Sequence, residues 1–348
     1  MSEEQKTLTP TFIVYLNGTR FSVDQESSVK QIIVSDRINV PSSCNIVLAD
    51  HDKIWMDDVA FEEGSTVSVH LGFKDYVEEV FNGEVVGLDV QMRKGAQTTT
   101  IVSCMNSLHR LRRAKKHRIF SETSDSDILT EIAQENGLSL EVDEIGGEKL
   151  FMVQKDVTDH EFMLSIAERY GCKLWASDRT IFFKQANEED NEEVVLEWGK
   201  TLNEFSARTD SSAIVTEVNI TGWDNDKGES FLASAAYGDV DPVGGTSFGG
   251  GAVEANFGPA IMTSTDAGVK DQSEAEALAL ETVTDNSFFY VTGNGSCEGN
   301  NAVKAGNLIT IKEVGGRFSG EYLVVEARHA FHATSGYTTY FSVVRNSV

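Results

Sequence analysis

The sequence predicts a mainly β protein that carries a small α+β insert. Segment 65–73, STVSVHLGF, alternates apolar and polar side chains and places Val67, Val69 and Leu71 on one side, as in a half-buried strand. Glycine is plentiful, at 29 residues, and proline is scarce, at 4, which suits many short strands joined by turns. Helix signals are strongest in the middle of the chain, between two strand-rich parts.

The first strand-rich part covers residues 11–102. Its Asn17-Gly18 pair lies between apolar runs and predicts a hairpin turn, and the Asn82-Gly83 pair predicts a second turn. The β-branched run TTTIVSCM follows and is typical of a strand. Short strands at this spacing favour a small barrel or sandwich.

The middle part contains two helices whose ends are legible in the sequence. Ser124 can cap a helix that Gly137 ends, and Thr158 with Glu161 forms a capping box for a second helix. The run CKLWASDRTIFFK then predicts a hairpin with its turn near Asp178.

A basic stretch precedes these helices and is the largest local departure from an acidic composition. One interpretation is a linker whose cations neutralise this protein's own carboxylates. A second is contact with an acidic neighbouring subunit, and a third, weaker one is nucleic-acid binding. The six predicted partner-contact residues are Arg110, Arg112, Arg113, Lys115, Lys116 and Arg118.

The last part returns to strands after the acidic run NEEDNEE at 187–193, which predicts a solvated loop and a domain boundary. Residues 233–270 are rich in Gly, Ala and Ser, so we expect a long flexible loop or insertion there. Ser273 and Glu276 predict a capping box for a helix over about 274–285.

Three domains follow from these shifts in character. We expect a first β domain at 1–115, an αβ domain at 116–194 and a second β domain at 195–348.

Composition argues against several classes of function. A net charge of −26 opposes nucleic-acid binding and fits either solubility or an acidic lumen past which DNA slides without sticking. No run of 18 apolar residues predicts a membrane span, and the N-terminus lacks the features of a secretory signal, so synthesis in the cytoplasm is expected. The cysteines are far apart in sequence, which gives poor support to a zinc or redox motif; they are Cys44, Cys104, Cys172 and Cys297.

No catalytic, cofactor-binding or metal-binding residues are predicted. Nucleophile-elbow and HExxH motifs are missing from the sequence, and GGTSFGGG lacks the Lys-Ser/Thr of a phosphate loop. Asp224, Asn225 and Asp226 fall short of a complete calcium loop. His329 and His332 lie on opposite faces of an ideal strand, so a structural hydrogen bond is the expected role of His329.

The end of the chain resembles the phage late-control protein D family of baseplate hubs, whose module also begins the VgrG-like spike proteins of type VI secretion. The resemblance covers roughly 80–345 and includes IFSETSDSDILTEIAQENGL and QKDVTDHEFMLSIAERYGCKLW in the middle part. The matching positions of the final strands are Gly306, Gly320, Tyr322, Val324, His329, Gly336, Tyr337, Thr339, Phe341 and Arg345.

This resemblance implies a structural protein rather than an enzyme. It implies two tube-protein-like β-barrels, about 8–115 and 195–345, with 116–194 as an outer docking segment. Three such chains give six barrels, so a homotrimer adapts a hexameric inner tube or tube initiator to a trimeric spike. Because the chain stops at Val348, where a VgrG-like protein continues, we expect the spike to be a separate polypeptide.

The resemblance further implies assembly into a phage-tail or injection-particle baseplate with other baseplate subunits, without membrane insertion or specific nucleic-acid binding. Two alternatives stay open: a tail-associated cell-wall hydrolase, and a VgrG-like secretion spike that lacks its C-terminal part.

Overall fold

The computed structural model describes residues 9–74, 76–142, 145, 149–185, 193–224, 227–265, 269 and 271–348. The prediction of a mainly β fold is confirmed, and the strands pair mostly in antiparallel sheets. Within these residues no helix combines the length and the apolar character needed to span a membrane.

The first strand-rich part packs around one apolar core that includes Val14, Ile32 and Val69. The Asn17-Gly18 turn is confirmed: both residues have positive φ, at 51° and 75°, and the chain reverses there. The elements are β1 (Pro10–Leu16), β2 (Thr19–Arg20), α1 (Val23–Ser28), β3 (Val29–Arg37), β4 (Val40–Ala49), two 3₁₀ turns (Trp55–Asp57 and Val59–Phe61), β5 (Thr66–Phe73), β6 (Tyr76–Gln91) and β7 (Thr99–Met105).

The predicted turn at Asn82-Gly83 is wrong, because both residues lie inside β6. A Cβ atom at Gly83 would lie 2.3 Å from the carbonyl oxygen of Met105, so glycine is needed here for close approach of two strands. The chain instead reverses between Phe73 and Tyr76, which face each other across β5 and β6.

The middle part forms a second core beneath two helices and several short strands. Both predicted helix starts are confirmed: Ser124 accepts a hydrogen bond from the backbone of Asp127, and Thr158 and Glu161 form a capping box. The predicted hairpin with Asp178 at its turn is also present. The elements are a 3₁₀ helix (Ser107–Arg112), β8 (Lys115–Thr123), α2 (Asp125–Glu135), β9 (Ser139–Val142), β10 (Lys149–Thr158), α3 (Asp159–Arg169), β11 (Cys172–Ser177) and β12 (Thr180–Gln185).

The last part contains two further cores, one within its large sheet and one beneath α5. Most of the acidic run, 187–192, lies outside the described residues. The elements are β13 (Val194–Glu197), β14 (Leu202–Thr209), β15 (Glu217–Asp224), β16 (Glu229–Ala236), a 3₁₀ turn (Tyr237–Asp239), α4 (Gly249–Phe257), β17 (Ile261–Thr265), α5 (Gln272–Ser287), β18 (Val291–Glu298), β19 (Leu308–Lys312), β20 (Gly320–His332) and β21 (Gly336–Arg345).

Of the two alternatives for 233–270, the flexible loop is wrong for the described residues, which include α4 and β17, whereas the insertion stays a prediction. A Cβ atom at Gly249 would come within 2.2 Å of Tyr290, and one at Gly250 would come within 2.5 Å of Tyr237. These glycines therefore serve packing rather than flexibility.

The predicted capping box of the helix that follows is also wrong. Asp271, and not Ser273, caps α5 by accepting a hydrogen bond from the backbone N–H of Glu274. Aspartate and serine are comparably good caps, so the local sequence offered two candidate starts two residues apart.

One sheet joins the two strand-rich parts. Thirteen strands of the described chain belong to it, in the main order β14-β18-β21-β20-β3-β4-β7-β6-β5-β1-β2, with β19 pairing β20 and β13. The junction is the pairing of β20 with β3, from Glu326 opposite Arg37 to His332 opposite Gln31. The middle part is connected to this sheet through the 3₁₀ helix Ser107–Arg112 and β8.

Candidate partner-binding site

The predicted partner-contact residues fall into an inward set and an outward set. Arg110, Lys116 and Arg118 are partly buried, whereas the side chains of Arg112, Arg113 and Lys115 are exposed. Strand geometry explains the division within β8, because successive side chains point to opposite faces.

Arg110 connects the 3₁₀ helix to the first strand-rich part through an ion pair with Glu84. Its Nε and Nη2 donate to the two carboxylate oxygens of Glu84, both at 2.6 Å, and His109 Nε2 lies 2.9 Å from the same carboxylate. The hydrogen bonds from Arg110 outweigh the opposing effect of burial and hold the pKa of Glu84 at about 2. A bidentate pair of this kind fixes orientation as well as charge.

Lys116 and Arg118 neutralise a buried carboxylate of the middle part. Lys116 Nζ donates to Asp159 Oδ2 at 2.7 Å, and Arg118 Nη2 donates to Oδ1 at 3.0 Å. Glu135 accepts from both cations, at 3.1 and 2.6 Å. Arg118 also stacks over Phe120, with Cζ 4.7 Å from the ring centre.

Asp159 receives these cations and two further donors, the side-chain amides of Asn136 and Gln154, each at 3.0 Å. Burial alone would raise the pKa of Asp159, but the hydrogen bonds from Lys116, Asn136 and Gln154 outweigh burial and lower it. The inward cations thus neutralise the protein's own carboxylates.

The outward cations have a different environment. Among the described residues, no carboxylate oxygen lies within 4.0 Å of the charged groups of Arg112, Arg113 or Lys115. In a chain of net charge −26, three neighbouring cations without such a pair leave a local basic surface.

The pairing of β8 with β10 extends this basic surface into an apolar one. β8 and β10 form a two-stranded ribbon in which Ile119 faces Val153 and His117 faces Lys155. Ile119, Phe151 and Val153 are 66%, 60% and 39% exposed. We call this surface the ribbon outer face; it consists of Lys115, His117, Ile119, Phe151, Val153 and Lys155.

Sequence reasoning missed the ribbon outer face, although a signal was present. Residues 115–120 and 151–155 each alternate in exposure, with Phe120, Met152 and Gln154 buried between more exposed neighbours. Only the pairing of two strands on either side of α2 brings the apolar residues of both runs together.

The final-strand residues that carried the resemblance form buried structural contacts. His329 Nδ1 lies 2.8 Å from the hydroxyl of Tyr337 and 3.2 Å from that of Thr339. Tyr337 donates to Asn301, whose amide donates to the backbone oxygen of Leu71 at 2.8 Å. This chain of hydrogen bonds links β20 and β21 to β5 of the first strand-rich part.

His329 makes stability depend on pH. Burial lowers its pKa to about 4 from 6.5, and Lys304 acts in the same direction. The unfolded chain therefore binds a proton at His329 near pH 6.5, whereas the folded chain binds it only near pH 4. The free energy of unfolding is unaffected by this proton above pH 6.5 and decreases as the pH falls from 6.5 toward 4.

Replacing His329 with glutamine should therefore flatten the dependence of the free energy of unfolding on pH. We expect the wild type to lose about 3 kcal/mol more than His329→Gln between pH 7 and pH 4. Urea unfolding at several pH values measures this difference, and parallel curves for the two proteins would contradict it.

Other candidate chemistry gives no site in the described part of the chain. Cys44 and Cys104 face each other across β4 and β7, and both are buried, as are Cys172 and Cys297. Burial raises the pKa of Cys104 to about 12. Within the described residues no group of three His, Cys, Asp or Glu side chains could hold a metal ion. Asn225 and Asp226 of the incomplete calcium loop lie outside the described residues.

The fold is that of phage tail and type VI secretion proteins. The 43 kDa tail protein of prophage MuSo2 from Shewanella oneidensis matches at a TM-score of 0.72 and 13% identity, over 97% of this chain and 98% of that one. A tail protein of Neisseria meningitidis MC58 matches at 0.71 and 11%, over 97% and 96%. A type VI secretion component of Escherichia coli matches at 0.62 and 10%, over 96% and 77%.

The chain belongs to the Alg8 N-terminal domain family, whose model matches residues 6–333. The matching family model is thus not that of late-control protein D, the family suggested by the sequence motifs. No curated protein matches the chain.

Proposed function

We propose that this protein is the structural baseplate hub of a contractile tail or injection system. In this role it is a homotrimer that connects a hexameric inner tube to a trimeric spike and assembles with other baseplate subunits into the particle. The observation that carries the proposal is the match of the fold over 97% of this chain and 98% of a phage tail protein. Similarity over the whole length favours the same kind of molecule over a shared module.

The arrangement of cores supports this role. One apolar core lies in the first strand-rich part and another in the last, and a continuous sheet connects them. We propose that residues 1–115 and 195–348 act as two tube-like units and that 116–194 is the docking segment. Two units in each of three chains would present six positions to a hexameric tube.

Imaging of purified particles by electron microscopy tests the proposal. We expect three copies of the chain in one ring between the tube and the spike. Absence of the chain from the particles, or its presence along the tube wall, would overturn the proposed role.

The outward cations provide a mutational test of assembly. Because Arg112 and Arg113 are exposed and have no carboxylate within 4.0 Å in the described structure, reversing both charges should weaken assembly while the chain still folds. We expect the free energy of unfolding of Arg112→Glu/Arg113→Glu to stay within about 0.5 kcal/mol of the wild type. The yield of assembled particles measures the effect.

Arg110→Glu is the contrasting variant, since it places two carboxylates together where Arg110 now pairs with Glu84. This variant should lose folding stability before assembly can be assessed. Normal particle assembly by Arg112→Glu/Arg113→Glu would refute a partner role for the outward cations.

A further inference from the structure

The ribbon outer face has the properties of a protein interface. Its centre is apolar, with Ile119 and Phe151 more than half exposed. At its end lie the exposed cations Lys115 and Lys155, together with one exposed carboxylate, Asp156, 3.6 Å from His117. Contiguous exposed apolar side chains rimmed by polar ones mark interaction sites on soluble proteins. The opposite face of the same two strands is already used, because Phe120 and Met152 pack into the core of the middle part.

A surface of matching chemistry occurs on the same chain, at one end of the first strand-rich part. Val23, Ile54 and Val59 are 80%, 55% and 74% exposed. The rings of Phe21 and Phe61 are in contact, with centres 6.0 Å apart, so the segments that carry Val23 and Val59 lie side by side.

Three carboxylates lie close in sequence to Ile54 and Val59, and one exposed cation, Lys53, precedes Ile54. Asp57, Glu62 and Glu63 are exposed. Among the described residues, no cation lies within 4.0 Å of these carboxylates. We call this surface the acidic end; it consists of Val23, Ile54, Asp57, Val59, Glu62 and Glu63.

We infer that the ribbon outer face of one copy of this chain binds the acidic end of a second copy. Both surfaces have an apolar centre, and their charges are opposite, so the pair is complementary in chemistry. Two different surfaces in contact make a heterologous interface, and repetition of such a contact closes a ring when the rotation allows it. The inference rests on the proposed hub, because it assigns the contact that holds the homotrimer.

Charge reversal on each surface, followed by their combination, tests the inference. One variant is Lys115→Glu/Lys155→Glu, and the other is Asp57→Lys/Glu62→Lys. Asp58 is left unchanged because it caps the 3₁₀ turn through the backbone of Ala60. The matched control is Arg93→Glu/Lys94→Glu, which makes the same change in charge at two exposed residues between β6 and β7.

Sedimentation equilibrium of the full chain at low and high salt gives the mass and the association constant. We expect the wild type and the control to form a species of three times 38.1 kDa. Each reversal should weaken association roughly tenfold or more, and the protein carrying both reversals should regain most of it. Association of the wild type should also weaken as salt rises.

Three results would overturn the inference. The first is unchanged association in either reversed variant, and the second is lack of recovery in the combined protein. The third is a wild type that stays monomeric at all concentrations, in which case the ribbon outer face has another partner. None of these results removes the chain from its place between tube and spike, which the particle images decide separately.

Discussion

Replacing Arg345 with alanine is expected to lower the free energy of unfolding by about 4 kcal/mol. Arg345 is 1% exposed and is among the largest fully buried side chains of the described structure. Its guanidinium donates to the backbone oxygens of Arg317 and Ser319, the latter at 3.1 Å, and lies over the ring of Tyr322 with Cζ 4.6 Å from the centre. Alanine would leave both oxygens without this donor and would open a cavity beside the ring.

Urea unfolding followed by tryptophan fluorescence measures the loss. Arg208→Ala is the control, because its side chain is 73% exposed and pairs with Asp210 at the surface. We expect this control to stay within about 0.5 kcal/mol of the wild type. Arg345→Lys should fall between the two, since one ammonium group cannot reproduce the planar fork that reaches two oxygens. Equal stability of Arg345→Ala and the wild type would disprove the structural role of Arg345.

Replacing Asp159 with alanine is expected to lower the free energy of unfolding by about 3 kcal/mol. Asp159 is 2% exposed and accepts hydrogen bonds from four side chains that belong to β8, β10 and the end of α2. Its loss would leave Glu135, which is far more exposed, as the carboxylate paired with Lys116 and Arg118 in the described structure, while Arg118 would keep its hydrogen bond to Gln154. The middle part should therefore unfold at lower denaturant concentration.

The same substitution should change the response to acid. Because the pKa of Asp159 is lower in the folded chain than in the unfolded one, its stabilisation is complete above the unfolded pKa and disappears as the pH falls through the folded pKa. The wild type and Asp159→Ala should thus converge in stability at low pH. Glu131→Ala, at an exposed position of α2, is the matched control, and a constant difference at all pH values would show that Asp159 does not act through its charge.

Features with local causes were predictable from the sequence. The starts of α2 and α3 depend on Ser124 and Thr158, whose side chains bond to backbone groups three residues later. The alternation of β5 reflects one buried and one solvated face, which a nine-residue window already contains.

Features decided by distant parts of the chain were not predictable. An Asn-Gly pair favours a hairpin turn, but a glycine also suits a strand that another backbone approaches closely. At Gly83 the approaching backbone is that of Met105. A glycine-rich run predicts flexibility, but Gly249 and Gly250 pack against Tyr290 and Tyr237, and no local pattern marks these contacts.

The candidate site shows the same division. The run of cations at 110–118 was visible in the sequence, but its separation into inward and outward residues was not. Glu84 lies 26 residues before Arg110, and Asp159 lies 43 residues after Lys116. No local pattern assigns such partners, because burial of a carboxylate is set by the packing of whole elements.

The pairing of β20 with β3 has a consequence for how the protein is made. Gln31 and His332 are hydrogen-bonded neighbours although 301 residues separate them. Such high contact order slows folding, because the chain must close a very long loop before this contact forms. During translation the outer edge of β3 has no strand to pair with until β20 has left the ribosome, and an unpaired edge is a site of aggregation. The first strand-rich part can therefore complete its sheet only after synthesis has passed His332, about 300 residues after β3.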